Sequence, residues 1–365
     1  MAGVYISYPF CAQKCSYCNF ASGVFPKAME PVYQQRLIQE IAGTEWMFTP
    51  ETLYLGGGTP SLWDLRDLGE VLGAVPGRPW KEATMEAAPG SLTRERVEAW
   101  VGMGINRVSL GVQSFVEREI RRTGRKHSAA VVEADVALLR ECGIESINLD
   151  LIAGLAEQTR ESLDESVDWV LRLGVPHVSV YILEVDEDSR LGQEVLLNGK
   201  RYGAPDVPSE ETQVWMYERA AERLAEAGIA RYEISNFAKP GWESLHNLKY
   251  WKLEPYLGFG ADAHSFDGRE RWQNTDVVGE YSVGEREAAD VLNERYWVGL
   301  RLSEGVEMDG RFSREIDRLI GDGLLERVGD RIRLTERGIP MSNEVFQEFL
   351  AEDRCLNCHE YRDPD

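Results

Sequence analysis

The alternation of strand and helix signals over the first half constrains the fold more than any other feature of the chain. Short apolar runs at 4–7, 52–55, 83–87, 107–111, 146–151 and 177–182 read as strands, and segments 32–46, 65–72, 94–103, 129–141 and 163–173 between them carry helical spacing. Six such units with short links imply an α/β fold on a parallel sheet, because a parallel neighbour needs a crossover. The sheet could close as a full or partial barrel or lie open and doubly wound. Periodicity does not choose between these.

Polar residues on the strands narrow the site. In Ile147-Asn148-Leu149-Asp150-Leu151 the apolar side chains share one face, and Asn148 and Asp150 share the other. Thr84 and Glu86 alternate in the same way, as do Ser179 and Tyr181. If these strands form a barrel, the polar groups point inward near its C-terminal rim, where such folds bind ligands. After about residue 184 the rhythm changes. A helix is expected at 210–227, a strand at 231–234 and a Gly-, aromatic- and His-rich stretch at 236–271. Helices at 296–302 and 313–322 and a hairpin at 324–334 give the end a winged-helix-like look.

Charge limits the partners. The 40 Lys and Arg against 62 Asp and Glu leave a net −22, which repels phosphate backbones and argues against nucleic acid. The winged-helix-like end is therefore read as packing or partner contact. No apolar run approaches the roughly 20 residues of a membrane span. The N-terminus has neither a basic stretch nor a long apolar one, so a cytoplasmic protein with reduced thiols is expected.

Those thiols are unevenly placed. Cys11, Cys15 and Cys18 fall within eight residues after the first strand, Cys142 stands alone, and Cys355 and Cys358 lie near the end. Three clustered thiols suit one metal centre. A structural zinc wants a fourth ligand, and none follows nearby. Three thiolates on an iron–sulfur cluster would leave one iron open. Tyr8, Phe10, Tyr17 and Phe20 would shield such a centre. On the residues alone, zinc and three unrelated buried cysteines stay open beside it.

The C-x3-C-x2-C spacing, followed after the second strand by Gly56-Gly57-Gly58-Thr59-Pro60, resembles the radical S-adenosylmethionine (SAM) superfamily. Leu110-Gly111-Val112-Gln113-Ser114-Phe115, Asn148-Leu149-Asp150-Leu151-Ile152 and Tyr232-Glu233-Ile234-Ser235-Asn236-Phe237-Ala238 resemble its coproporphyrinogen dehydrogenase-like branch. The resemblance implies a partial (β/α)6 barrel over residues 1–235 and an α+β C-terminal region over 236–365. It implies a [4Fe–4S] cluster on Cys11, Cys15 and Cys18, with SAM on the open iron. It places Gly57, Gly58 and Thr59 at the methionine part of SAM, and Glu86, Gln113, Arg125 and Asp150 as a polar clamp. Tyr181 falls near the adenine, and Tyr5 and Tyr17 near the cluster. Read without the family, Arg125 belongs to a solvated basic patch, Arg121 to His127.

Within that branch, Asn19-Phe20 after the third cysteine and only ten residues before the first resemble the haem chaperones more than the dehydrogenase. So does His246-Asn247-Leu248-Lys249-Tyr250-Trp251, whose family counterpart is associated with haem. The resemblance implies haem binding through His246, Asn247, Tyr250 and Trp251, and delivery to acceptor haemoproteins such as respiratory enzymes. It is compatible with a homodimer and with membrane contact through partners alone. The alternative is an oxygen-independent coproporphyrinogen III oxidase, so whether the chain is an enzyme stays open. A lone His beside aromatics is otherwise a structural residue; His264 is expected in the core, and Cys142 buried and inert.

Three departures from the branch stand out. Ser7-Tyr8 replaces His-Ile, Ala88 takes an Asn position beside Glu86, and Asp262 replaces Gly. Cys355-Leu356-Asn357-Cys358-His359 has the form of a c-type haem attachment. Nothing directs export, so a plain exposed tail is favoured over covalent haem or an accessory zinc or haem ligand.

Overall fold

The computed structural model describes residues 2–350. Six strands, β1 (Gly3–Tyr8), β2 (Thr52–Gly57), β3 (Glu82–Ala87), β4 (Arg107–Gln113), β5 (Ser146–Ala153) and β6 (His177–Ile182), pair in chain order, each parallel to the next. The helices between them are α1 (Met29–Ala42), α2 (Leu65–Ala74), α3 (Arg94–Met103), α4 (Glu117–Thr123), α5 (Ala129–Glu141) and α6 (Arg160–Leu173). Strand order settles the choice left open by periodicity. Right-handed crossovers that always step the same way put every helix on one face, so the sheet curls into a partial barrel. A doubly wound sheet instead reverses its order at a switch point.

The helices follow local rules. Asp64 caps α2 by accepting from the Arg66 and Asp67 amides, and Thr159 and Ser162 form a reciprocal capping box on α6. The helix expected at 32–46 starts and ends earlier: α1 stops at Gly43, and Trp46 packs its ring 5.7 Å from Phe259.

After β6 come α7 (Arg190–Leu196), α8 (Glu210–Glu226), β7 (Ala230–Arg231), β8 (Asn236–Ala238), α9 (Leu245–Trp251) and the strands β9 (Tyr256–Phe259), β10 (His264–Phe266), β11 (Glu270–Gln273) and β12 (Glu287–Ala288). The strand expected at 231–234 is therefore two short strands around a turn. β8 pairs antiparallel with β6, and β9 runs parallel to β1, so the sheet grows at both edges to twelve strands. The boundary expected at 235/236 falls inside this one sheet. The end comprises α10 (Val291–Gly299), β13 (Val306–Glu307), α11 (Ser313–Gly321), β14 (Leu325–Val328), β15 (Arg331–Leu334) and α12 (Ser342–Glu348), with a β13-β15-β14 sheet. The helix expected at 296–302 is α10, which starts earlier because Asp290 caps it.

Strand side chains divide cleanly. Val4, Ile6, Leu53, Leu55, Val108, Leu110, Ile147 and Leu149 are fully buried on the helix side, each worth about 1.5–3 kcal/mol of transfer free energy. The opposite face, inside the barrel, carries the polar residues. Among the described residues no helix is long and apolar enough to cross a membrane.

Candidate functional site

The thiol loop leaves the C-terminal end of β1. It is closed at its base: the Cys11 amide donates to Gly23 O (2.8 Å) and the Gly23 amide to Pro9 O (2.9 Å). It is pinned at its crown, where Ser16 N donates to Thr123 O (3.1 Å) and Leu191 N to Ser16 O (2.8 Å). The glycine turn after β2 lies against it. Gly58 N donates to Tyr8 O (2.7 Å), and a Cβ on Gly58 would stand 2.7 Å from Phe10 O, so only glycine fits.

Cys11, Cys15 and Cys18 are free and half-buried on this loop. Burial pushes the Cys11 thiol up, partly offset by hydrogen bonds with Thr59 and Ser22. Cys18 Sγ lies 3.9 Å from Ser22 Oγ. Among the described residues no three Cys, His, Asp or Glu side chains converge as the ligand set of a single metal ion. Three half-buried thiols on one pinned loop have the donor chemistry an iron–sulfur cluster takes. Tyr8 is buried against Trp63 (ring centroids 4.4 Å apart), and Phe10 is buried as well. Phe20, expected to shield the loop, instead faces solvent at 66% exposure.

Glu86 on β3 and Asp150 on β5 sit on the inner face, with β4 between their strands. Tyr54 donates its hydroxyl to Glu86 Oε1 (2.9 Å) and Gly57 its amide to Oε2 (3.2 Å). Burial, reinforced by Asp150, raises the Glu86 carboxyl to about 7. Asp150 accepts from Asn148 Nδ2 (2.7 Å) and Ser109 Oγ (3.2 Å); burial pushes it up and these bonds pull it back. Gln113 holds φ +71 at a register shift in β4, a left-handed conformation rare for a side-chain-bearing residue and typical of sites. Tyr181 opens onto the mouth at 41% exposure. Tyr5 stands lower, stacked 6.0 Å from Tyr54.

The structure separates Arg125 from its basic neighbours. Arg121, Arg122 and Lys126 are exposed, but Arg125 turns in and donates to Gly111 O (2.5 Å). Burial works against its charge, and the Cys15 and Tyr17 groups beside it more than restore it. It thus links the thiol loop to the inner face. The asparagine absent at Ala88 has a substitute: Ser61 Oγ accepts from Ala88 N (3.3 Å) and shares a 2.8 Å bond with Ser91 Oγ, which donates to Ala88 O (2.6 Å). Asp262, replacing Gly, adopts φ +61 and accepts from Gln273 Nε2 (2.7 Å). Sequence reasoning missed a supporting row of buried groups. His177 bonds Asn148 (2.6 Å) and Tyr232 (2.8 Å) through its two ring nitrogens, and Ser179 donates to Asn236 (2.7 Å).

The floor of the barrel is α9. Glu82, at the N-terminal end of β3, accepts from Ser244 Oγ (3.1 Å) and from the Leu245 and His246 amides (2.8 Å each). This fixes the helix and complements its positive end. His246 is fully buried. Its Nδ1 shares a hydrogen bond with Thr52 Oγ1 (2.8 Å) and its Nε2 one with the Tyr250 hydroxyl (2.8 Å), so the two share a face as helical spacing requires. Burial, with Lys249 and Arg107 nearby, lowers its pKa to about 3. Asn247, Tyr250 and Trp251 are half-buried, with the Arg301 guanidinium 4.9 Å from the Trp251 ring. His264, expected in the core, is exposed on β10; Cys142 is half-buried at the end of α5, with Arg94 Nη1 3.9 Å from its sulfur. The Cys355-Cys358-His359 motif lies outside the described residues.

Residues 5–170 match the Radical SAM superfamily. The chain is 33% identical to the heme chaperone HemW of Lactococcus lactis, over 96% of this chain and 97% of that one. It is 34% identical to the HemW of Bacillus subtilis, over 96% and 100%. Among solved structures, the radical SAM enzyme coproporphyrinogen III oxidase (HemN) of Escherichia coli superposes with a TM-score of 0.82 at 21% identity, covering 95% of this chain and 89% of that one. At that identity the likeness speaks for the fold alone.

Proposed function

The chain belongs to the radical SAM superfamily and, within it, to the HemW family, and from that premise we propose that it binds haem and hands it to acceptor haemoproteins. One observation carries the reading: a three-thiol loop and a His246–Trp251 motif occupy opposite ends of one barrel, in a chain that matches HemW proteins nearly end to end.

We assign Cys11, Cys15 and Cys18 to a [4Fe–4S] cluster. SAM falls to Gly57, Gly58 and Thr59 on the methionine side and to Glu86, Gln113, Arg125 and Asp150 as clamp. Tyr181 lies toward the adenine, and Tyr5 and Tyr17 complete the surroundings. When bound, the cluster supplies one electron to the sulfonium of SAM. The protein contributes the rest. Gly57 and Gly58 let backbone approach closely, Arg125 can pair a carboxylate, and Asp150 and Glu86 can accept from hydroxyl or ammonium groups. Tyr8, Phe10 and Trp63 keep water from one side of the loop.

Haem falls to His246, Asn247, Tyr250 and Trp251. A buried imidazole with both nitrogens bonded is not free to ligate iron, so haem uptake requires α9 to give up the Thr52–His246 or His246–Tyr250 bond. That exchange costs about 0.5–1.5 kcal/mol per bond before the iron bond repays it.

The test is anaerobic reconstitution of the full chain, haem titration followed by absorbance, and transfer to an apo-haemoprotein. Expected are stoichiometric uptake, transfer from the loaded protein, and loss of uptake in a His246→Ala variant that still folds. Unchanged uptake in that variant refutes the assigned site, and no uptake by wild type refutes the carrier reading. Coproporphyrinogen III, SAM and a reductant in the same preparation should give no decarboxylated product.

A further inference from the structure

We infer that Tyr54 is a positioning residue that couples the SAM clamp to the motif on α9, so that occupancy of either end of the barrel alters affinity at the other. The inference rests on the reading of Glu86 as a SAM ligand.

The argument follows one face of β2. Residues two apart on a strand share a face, so Thr52, Tyr54 and Gly56 form a continuous line on the inner side. Thr52 holds His246 Nδ1 at 2.8 Å. The Tyr54 ring lies 5.3 Å from the His246 ring, and its hydroxyl donates to Glu86 Oε1 at 2.9 Å. At Gly56 there is no side chain, and the tyrosines close over the space. A Cβ there would stand 2.9 Å from Tyr5 Cε2 and 3.1 Å from Tyr54 Cε1. Tyr54 is therefore held between Tyr5, stacked at 6.0 Å, and His246. A shift of the Tyr54 ring alters its packing on Tyr5 and His246 together with its bond to Glu86.

That arrangement has two consequences. A ligand that repositions the Glu86 carboxylate pulls the Tyr54 hydroxyl and moves the ring packed on His246. Conversely, an imidazole that swings out removes the wall behind Tyr54 and loosens its bond to Glu86. Contiguous packing with discrete bonds at both ends is a physical route for coupling, and coupling between binding sites is reciprocal. Sequence reading assigns Tyr54 no role of its own, and its place between Glu86 and His246 shows only in the folded barrel.

The readout is the pH profile of SAM affinity. Besides Tyr54, Glu86 faces Asp150 from β5, Arg107 from β4, Tyr5 from β1, Tyr250 from α9 and Tyr181 from β6. Tyr54→Phe leaves each of these side chains in place. That hydroxyl pulls the Glu86 carboxyl down against the burial that raises it to about 7. In wild type, SAM affinity should rise as the pH passes about 7 and the carboxylate forms. Without the hydroxyl the midpoint should move upward.

The experiment uses the full chain, anaerobically reconstituted, with SAM affinity measured between pH 6 and 8.5 for wild type, Tyr54→Phe, His246→Gln and the double variant. Tyr54→Phe keeps the ring and its packing. The expected result is an upward midpoint shift in Tyr54→Phe, a smaller shift the same way in His246→Gln, and no further shift in the double variant. Additive shifts, or a His246→Gln profile identical to wild type, overturn the coupling. If Glu86→Gln leaves SAM affinity and its profile unchanged, it is the clamp reading that fails, and the coupling falls with it. A second arm measures haem affinity with and without SAM. A difference of about fivefold or more in wild type that collapses toward one in Tyr54→Phe supports the coupling; equal affinities in wild type overturn it.

Discussion

The buried imidazole at the barrel floor makes a quantitative prediction. In the unfolded chain His246 titrates near 6.5. In the folded protein burial first, then Lys249 and Arg107, depress it to about 3. The sign follows from linkage. As pH falls below 6.5 the unfolded chain takes up a proton that the folded chain refuses, so stability that is complete above 6.5 is lost on descent toward 3. Between pH 7.5 and 5.5 that loss is about 1.4 kcal/mol, and over the whole window up to about 5 kcal/mol. His246→Gln removes this contribution, while an amide can still bond Thr52 and Tyr250. His177, also depressed by burial, stays in both proteins and cancels. Denaturant unfolding of wild type and His246→Gln at pH 7.5 and 5.5 isolates the difference. Wild type should lose about 1.4 kcal/mol more than the variant over that interval. Equal losses would mean that the imidazole titrates as it does in water, and the closed floor would be refuted.

Three further substitutions probe the two ends and the replaced support. Gly58→Ala puts a methyl group 2.7 Å from Phe10 O, which is backbone and cannot swing aside, so the thiol loop must shift; iron and sulfide content after reconstitution should fall severalfold, and full loading would refute the packing of turn on loop. Gly3→Ala crowds Thr52 Oγ1 (2.9 Å) and His246 Cε1 (3.0 Å), so the unfolding free energy should fall by about 1–3 kcal/mol, with no loss if the floor is loosely packed. Ser61→Ala leaves the Ala88 amide without its partner and should cost about 1–2 kcal/mol and weaken SAM binding. An unchanged SAM affinity would show that Ala88 needs no substitute for the missing asparagine.

Much of this was legible in the chain, and the limits have physical causes. Alternation along β3, β5 and β6 located Glu86, Asp150 and Tyr181 on one face, because a strand's period of two is strict. Whether the sheet closes was not legible, because it depends on strand order. Arg125 could not be told from a solvated basic patch, since only the backbone between α4 and α5 turns it inward while Arg121 and Arg122 stay out. The short helices α4 and α7, seven residues each, carry too few turns to show a period. Asn148 was placed on the inner face, but its joining with His177, Tyr232 and Asn236 in one row was not legible, because only strand pairing brings them together. Burial of His246 was the largest gap. The sequence placed His246 and Tyr250 on one face of a helix, but the burial of His246 depends on Glu82 and Thr52, far away in sequence, which fold it into the floor.

Placing the two motifs at opposite ends of β2 bears on how the sites share one protein. β2 runs Thr52–Gly57, five steps of about 3.3 Å, so roughly 17 Å separates the end that holds His246 from the end that meets the thiol loop. Ligands at that separation do not compete for space. What passes between them must go through side chains, and the inner face of β2 offers Thr52 and Tyr54. The floor itself is not at ease. The Lys249 ammonium is 1% exposed and pairs with Glu254 at 3.6 Å; burial lowers its pKa, and Glu254, Glu51 and Glu82 offset part of that. Burying a cation is costly even beside carboxylates. Glu82, with three hydrogen bonds to the start of α9, and Thr52, with one to His246, hold the helix down against that cost. A helix so held can stay closed in the resting protein, yet release His246 when a better partner for its nitrogen arrives.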